Sequence, residues 1–190
     1  LRQLSLDPAL VDERYEGVGS AKINLLCSHL EQIVPAGHQV LVFSQFVSFL
    51  ERIDTALKQR GISCLLLEGK TRKREEVIAK FRRGEEPVFL ISLKAGGVGL
   101  TLTEADYVYI MDPWWNPSVE AQAINRAHRI GQDRAVNVYR LVAQDTIEEK
   151  VCQLQAHKQR LIDTVVDDVG DGGTQGMDID QLIELLGAGE

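Results

Sequence analysis

The sequence lacks the features of several protein classes. Its three cysteines, Cys27, Cys64 and Cys152, lie far apart, and no C-x-x-C pair occurs. We therefore expect no metal site and no disulfide framework. No apolar run reaches the roughly 18 residues that a membrane span needs, and no charged and then apolar segment opens the chain. We expect no membrane partner.

A phosphate-binding loop is also missing. The Gly-Lys-Thr run at residues 69–71 fails as a Walker A motif, because Cys64 stands where the motif requires a glycine. The chain thus lacks the main device that holds ATP phosphates. Its opening, Leu-Arg-Gln-Leu, is typical of a piece cut from a longer protein.

The chain has no overall basic charge, with 21 Lys and Arg against 28 Asp and Glu and a net charge of −7. Eight of these acids lie in residues 161–190, which contain no Lys or Arg, so the other 160 residues carry 21 bases and 20 acids, a net of +1. Four Arg and only one Asp occur in residues 122–140. A nucleic-acid partner therefore remains open.

Short apolar runs alternate with amphipathic helical patterns. The runs are 40–43, 64–67, 88–91, 107–111 and 136–142. The last run alternates more and is expected nearer an edge. Such a pattern predicts an α/β fold, a doubly wound parallel sheet with helices on both faces. Ligands of these sheets bind beyond the carboxyl ends of the strands.

Several helix boundaries can also be predicted. Ser20 is a good N-cap for a first helix, and Asn116 followed by Pro117 starts a later one. Residues 145–148 have the pattern of a capping box at the start of a last long helix.

The stretch 122–132 (QAINRAHRIGQ) is the most informative. At about 100° per residue, Gln122, Arg126 and Arg129 fall within about 60° of one another on a helix. Two arginines one turn apart can clamp a phosphate with bidentate contacts. The alternative is a solvated basic face.

Two loops at the predicted ligand edge are candidates for binding. Residues 92–103 place three glycines in four positions after Lys94, which permits close backbone approach to a ligand; a tight turn is the alternative. Trp114 and Trp115 follow the fourth run and form either an aromatic platform for nucleic acid or part of the core.

Together these stretches resemble the second RecA-like lobe of Swi/Snf-type ATP-dependent DNA translocases, within the superfamily-2 helicases. The resemblance covers about residues 1–165. The residues that carry it are 40–46 (VLVFSQF), 68–71 (EGKT) with Arg74 and Phe81, 92–100 (SLKAGGVGL), Asp112 with 115–117 (WNP), 122–132 and 146–150 (TIEEK). The HRIGQ ending is the most specific. Thr101, where Asn is frequent, and the short 71–81 segment suggest a bacterial or archaeal member.

The resemblance implies roles for residues. Arg126 and Arg129 are expected as arginine fingers toward ATP on the first lobe, with Gln122 as their positioning partner. Gly97 and Gly99 are expected to line the ATP cleft. The expected DNA contacts are Ser44, Gln45, Lys94 and Trp115.

The resemblance also implies an organisation and partners. We expect an inter-lobe lead-in over 1–19, a RecA-like helicase lobe over 20–144, a brace helix over 145–166, and an acidic Gly-rich linker with a short terminal helix over 167–190. Expected ligands are ATP and Mg²⁺, held mainly by the N-terminal RecA-like lobe, and double-stranded DNA, including a protein–DNA complex that is remodelled. The cytoplasm of a prokaryote, at the nucleoid, or the nucleus of a eukaryote is the expected location.

Two other functions remain open from the residues. One is the C-terminal lobe of a strand-separating superfamily-2 helicase, which would share the arginine helix. The other is a non-enzymatic α/β binding module, which the missing phosphate loop favours. In either motor, the isolated lobe is expected to be inactive as an ATPase.

Overall fold

The computed structural model describes residues 1–93, 95, 102–114, 116–125 and 135–169. Its elements alternate as the apolar runs predict. The helices are α1 (Arg2–Leu6), α2 (Ala21–Ile33), α3 (Val47–Gln59), α4 (Arg74–Arg82), α5 (Pro117–Ile124) and α6 (Ile147–Val169). The strands are β1 (Val40–Ser44), β2 (Cys64–Leu67), β3 (Val88–Ser92), β4 (Tyr107–Ile110) and β5 (Asn137–Arg140).

The five strands form one parallel sheet in the order β2-β3-β1-β4-β5. The central strand β1 pairs Val40 with Val88 on one side and with Tyr107 on the other. Every residue of β1 and β3 is buried, whereas all of β5 is exposed at the edge of the sheet. The predicted α/β doubly wound fold and the edge position of the fifth strand are confirmed.

Two apolar clusters cover the two faces of the sheet. Because side chains alternate along a strand, Val40 and Val42 enter one cluster, whereas Leu41 and Phe43 enter the other. The first cluster takes its helical side chains from α1, α2 and α3, and the second takes them from α4 and α5. The helix after β1 therefore covers the opposite face from the helix after β4.

The residues before the first long helix pack on the same unit. Leu6 is buried in the first cluster, and the hydroxyl of Ser20 donates to its carbonyl at 2.5 Å. Ser20 also caps α2 by accepting from the Ile23 amide, as predicted. Arg52 of α3 pairs with Asp7 at 2.6 Å and with Glu16 at 2.8 Å. These bonds tie the lead-in to the face formed by α2 and α3.

The start of α6 corrects the predicted capping box. Thr146 accepts the Glu148 amide at 3.2 Å, and Glu149, not Glu148, reaches back to the Asp145 amide at 3.0 Å. Asp145 adopts a left-handed backbone with φ of 56°. The carboxylate of Glu148 instead forms an ion pair with Lys22 of α2, which is distant in the sequence.

The chain divides into two compact units, Leu1–Gln153 and Leu154–Glu190, and the second begins within α6. In the described residues, no helix combines the length and apolar character needed to cross a bilayer.

Candidate functional site

The topology places a crevice between the carboxyl ends of β1 and β4. These strands are neighbours, and the chains that leave them turn to opposite faces of the sheet. In doubly wound sheets such a switch point is where ligands bind. Here it lies between Ser44 and Gln45 on one side and Asp112 on the other.

Asp112 joins the two loops at this crevice. Its Oδ1 accepts the Ser44 hydroxyl at 2.5 Å, and its Oδ2 accepts the Gln45 side-chain amide at 2.5 Å. The Gln45 backbone amide donates to both oxygens at 3.3 Å. Donors of its own chain thus occupy both oxygens, so this carboxylate holds the loops together and is not placed to transfer a proton.

Burial sets the electrostatics of Asp112. Only 2% of the residue is exposed, and this burial raises the pKa of its carboxyl above the usual value. The hydrogen bonds from Ser44 and Gln45 and the charge of Lys22 oppose that increase in pKa. A buried carboxylate retained with several donors marks this point as one where precise geometry matters.

The two predicted DNA contacts at this position differ in exposure. Ser44 is fully buried, with its hydroxyl bonded to Asp112, whereas Gln45 is half-buried. Their predicted contact with DNA stays a prediction, and in this conformation Gln45 is the more accessible of the two.

Residues 111–114, which we call the tryptophan loop, are held at successive points. Lys22 donates to the Met111 carbonyl at 2.6 Å, and Arg2 donates to the Pro113 carbonyl. The Trp114 amide donates to Glu120 of α5 at 2.7 Å. The Trp114 side chain packs on the second apolar cluster, as the core alternative predicts.

A buried ion pair lies beneath this loop. The Lys22 ammonium is 2.6 Å from Glu148 Oε2 and also donates to the Leu141 carbonyl at 2.8 Å. Glu148 Oε2 accepts the Ala143 amide at 2.8 Å as well. Burial lowers the pKa of Lys22, and the hydrogen bond to Glu148 opposes the change.

A second buried acid, Glu120, completes the surroundings of the loop. Glu120 is 1% exposed, and besides Trp114 it forms an ion pair with Arg140 of β5. The loop is therefore bonded to side chains of β1, α2 and α5, and through Lys22 it is connected to the start of α6.

The Gly-Lys-Thr turn does not form a phosphate loop. The Glu68 amide donates to the Thr71 hydroxyl at 3.0 Å, and the Thr71 amide donates to the Glu68 carbonyl at 3.1 Å. The turn thus closes on itself, and the amides of its first and last residues bond within it.

Nor do the described residues offer a magnesium site. They contain no cluster of three or more His, Cys, Asp or Glu side chains arranged to hold a metal ion. Asp112, the acid at the crevice, already binds the donors of Ser44 and Gln45. These residues therefore do not fit Mg²⁺ as a resident ion of their own.

The remaining predicted site residues are only partly described. Gln122 lies in α5, but its side chain is outside the part of the molecule that the structure describes. Arg74, one of the single residues that carry the resemblance, donates to the Ala95 carbonyl and so holds the chain after β3. The predicted residues outside the described ranges are Lys94, Gly97, Gly99, Trp115, Arg126 and Arg129.

Sequence reasoning missed Lys22 and its pairing with Glu148. One signal was present, since Lys22 occupies the first turn of α2, where the helix dipole favours acids and disfavours cations. A lysine at that position, next to a serine cap, indicates a partner outside the helix. The local sequence does not identify that partner, because it lies 126 residues away.

Comparison with known proteins agrees with this architecture. Residues 21–131 match the helicase conserved C-terminal domain. The chain is 48% identical over 148 residues to DNA repair protein RAD5B of Arabidopsis thaliana, covering 75% of this chain and 12% of that protein. It is 42% identical over 154 residues to an ATP-dependent helicase of Mycoplasma pneumoniae, covering 79% and 15%.

A solved structure has the same fold. The crystal structure of the C-terminal part of the Fun30 ATPase domain matches with a TM-score of 0.67 at 39% identity, covering 72% of this chain and 45% of that one. The chain spans only 12% and 15% of the two relatives named above. Since these relatives come from a plant and a bacterium, the predicted prokaryotic origin stays a prediction. The chain belongs to the helicase C-terminal domain family and is the second RecA-like lobe of a Swi/Snf-type superfamily-2 protein.

Proposed function

We propose that this lobe is half of an ATP-dependent motor that moves along double-stranded DNA. ATP and Mg²⁺ bind mainly to the first lobe, and this lobe supplies arginine fingers and part of the DNA-tracking surface. The observation that carries the proposal is the Asp112 junction, which joins the Gln45 loop to the tryptophan loop at the switch point. The Gln45 loop contains a position expected at DNA, and the tryptophan loop leads directly into another, Trp115.

The junction supports tracking because it fixes two contact loops relative to each other. Gln45 and Asp112 follow neighbouring strands, and their bond makes the two loops move as one body. Two loops that are fixed to each other can move a bound DNA strand when the lobes close. Two independent loops could shift relative to each other without moving the strand. In this proposal Gln45, Lys94 and Trp115 face the DNA, and Ser44 supports them through Asp112.

Arg126 and Arg129 act on the nucleotide in this proposal. Closure of the lobes brings their guanidinium groups to the phosphates, where they stabilise the charge that develops during hydrolysis. Gln122 positions them, and Gly97 and Gly99 let the backbone approach the cleft. The self-closed turn at residues 68–71 supports assigning nucleotide binding to the other lobe.

The test is a substitution of Arg129 in a protein that carries both lobes. Arg129→Lys keeps the charge but loses the planar fork, so turnover with saturating duplex DNA should fall about 100-fold or more while ATP affinity changes far less. Arg134→Lys is the matched control and should leave turnover near native. Steady-state ATPase kinetics measure both, and equal turnover in the two variants would remove Arg129 from the mechanism.

A further inference from the structure

A buried lysine at the start of α2 calls for an explanation. Only 6% of Lys22 is exposed, and a lysine is rarely buried unless it is paired. Its position in the first helical turn is electrostatically unfavourable. The fold retains it with three acceptors from three segments: Met111, Leu141 and Glu148.

The three acceptors belong to different parts of the fold. Met111 is the first residue of the tryptophan loop, Leu141 follows β5, and Glu148 lies in the first turn of α6. A single ammonium group thus joins the loop to the helix that begins more than 30 residues later. An ammonium group has three donors, and three acceptors use all of them.

Glu148 depends on Lys22 for its charge balance. It is 1% exposed, and its Oε1 accepts no hydrogen bond in the part of the chain that the structure describes. Its Oε2 accepts from Lys22 and from the Ala143 amide. Removal of the lysine would leave a buried carboxylate without its counter-charge and two carbonyls without this donor.

We propose that Lys22 and Glu148 are positioning residues that fasten the tryptophan loop to the start of α6. Breaking the pair releases residues 111–114 from their register at the switch point without unfolding the sheet. The sheet is expected to survive because its two apolar clusters do not require the pair. The consequence for DNA tracking rests on the proposed function, whereas the consequence for the loop does not.

The chain contains its own reporter for this motion. It has two tryptophans, Trp114 and Trp115, so fluorescence excited at a wavelength that its four tyrosines do not absorb comes from this part of the chain alone. Acrylamide quenching of the 190-residue chain measures how accessible they are. In Lys22→Met, which keeps the length but loses the charge, the quenching constant should rise about twofold while far-UV circular dichroism stays native.

A control substitution separates this effect from the loss of any lysine. Lys58 forms an ion pair of the same length, 2.6 Å with Asp54, but its side chain is 66% exposed. Lys58→Met should leave the quenching constant unchanged. Equal quenching of wild type and folded Lys22→Met would overturn the proposal.

A double variant distinguishes positioning from charge balance and guards against misfolding. Lys22→Met with Glu148→Leu removes both buried charges, and an apolar pair often replaces a buried ion pair without loss of stability. The double variant should melt near the wild-type temperature and still show the raised quenching, since the Met111 carbonyl has lost its donor. Recovery of both melting temperature and quenching would reduce the pair to a structural role and overturn the proposal.

The functional arm uses a protein with both lobes. The double variant should need about tenfold more duplex DNA than the wild type or Lys58→Met for half-maximal stimulation of ATP hydrolysis. If the wild-type protein shows no DNA stimulation, the proposed function fails while the quenching result still decides the role of Lys22. If stimulation is present and the DNA requirement of the variant is native, the link from loop to DNA fails.

Discussion

The middle of the sheet and its carboxyl edge are both buried, but the middle buries apolar side chains whereas the edge buries charged ones. In the middle, the apolar side chains of β1 and β3 are fully covered by the two clusters. At the edge, Lys22, Asp112, Glu120 and Glu148 are nearly as inaccessible, and each is held by hydrogen bonds or an ion pair.

This difference has a physical meaning. Apolar burial is non-directional and mainly stabilises the fold, whereas buried charges contribute little net stability and instead fix geometry. We therefore expect substitutions in the middle to change the free energy of unfolding. Substitutions at the edge that leave no buried charge without its partner should change activity more than stability.

The largest effect on stability is expected in the middle of the sheet. Phe89 is fully buried in β3, with its ring 5.1 Å from that of Phe81. Phe89→Ala should lower the free energy of unfolding by about 3–5 kcal/mol because it leaves a cavity among rigid neighbours. Chemical denaturation measures this, with Val138→Ala on the exposed edge strand as control. Equal losses in the two variants would contradict the assignment of the core.

A smaller effect on stability, with a larger effect on function, is expected at Asp112. Asp112→Ala leaves the Ser44 hydroxyl and the Gln45 amides without their acceptor, which should cost about 1–3 kcal/mol. In a protein with both lobes, DNA stimulation of ATP hydrolysis should be lost while the fold persists.

The control for Asp112 is an acid away from the edge. Glu76 on α4 has a half-exposed side chain and pairs with Lys73 at 3.1 Å. Glu76→Ala should change neither denaturation nor DNA stimulation measurably. Native DNA stimulation in Asp112→Ala would mean that the two loops need not be joined.

The smallest effect concerns the acidic C-terminal residues. Removal of residues 167–190 takes away seven acids and no Lys or Arg, which changes the formal charge from −7 to 0. DNA affinity of the chain at low salt should then rise severalfold, and the gain should vanish at high salt because exposed charges are screened. Titration by fluorescence anisotropy at two salt concentrations measures it. A gain that persists at high salt would point to a specific contact instead.

The middle of the sheet was predictable because its signal is local. Four continuous apolar runs and one alternating run predicted the five strands, and the serine at position 20 and the proline at 117 marked helix starts that the structure contains. The edge position of β5 followed from its alternating pattern. Each of these inferences uses residues that are close in sequence.

The carboxyl edge was predictable only in part. That Ser44, Gln45 and Asp112 end neighbouring strands follows from the fold, but their mutual bonds depend on the strand order. The Lys22–Glu148 pair joins residues 126 positions apart, and Glu148 was wrongly assigned to the helix cap. Directional bonds between distant segments leave little trace in local composition.

The central claim, that this lobe completes an ATPase but is not one, is tested most directly by ATP turnover with and without duplex DNA. The 190-residue chain alone should hydrolyse no ATP above background, because Cys64 replaces the required glycine and the turn at 68–71 closes on itself. The protein with both lobes should hydrolyse ATP and should do so faster with DNA. DNA-stimulated turnover by a tag-free preparation of the 190-residue chain, or no stimulation of the two-lobed protein, would contradict the account.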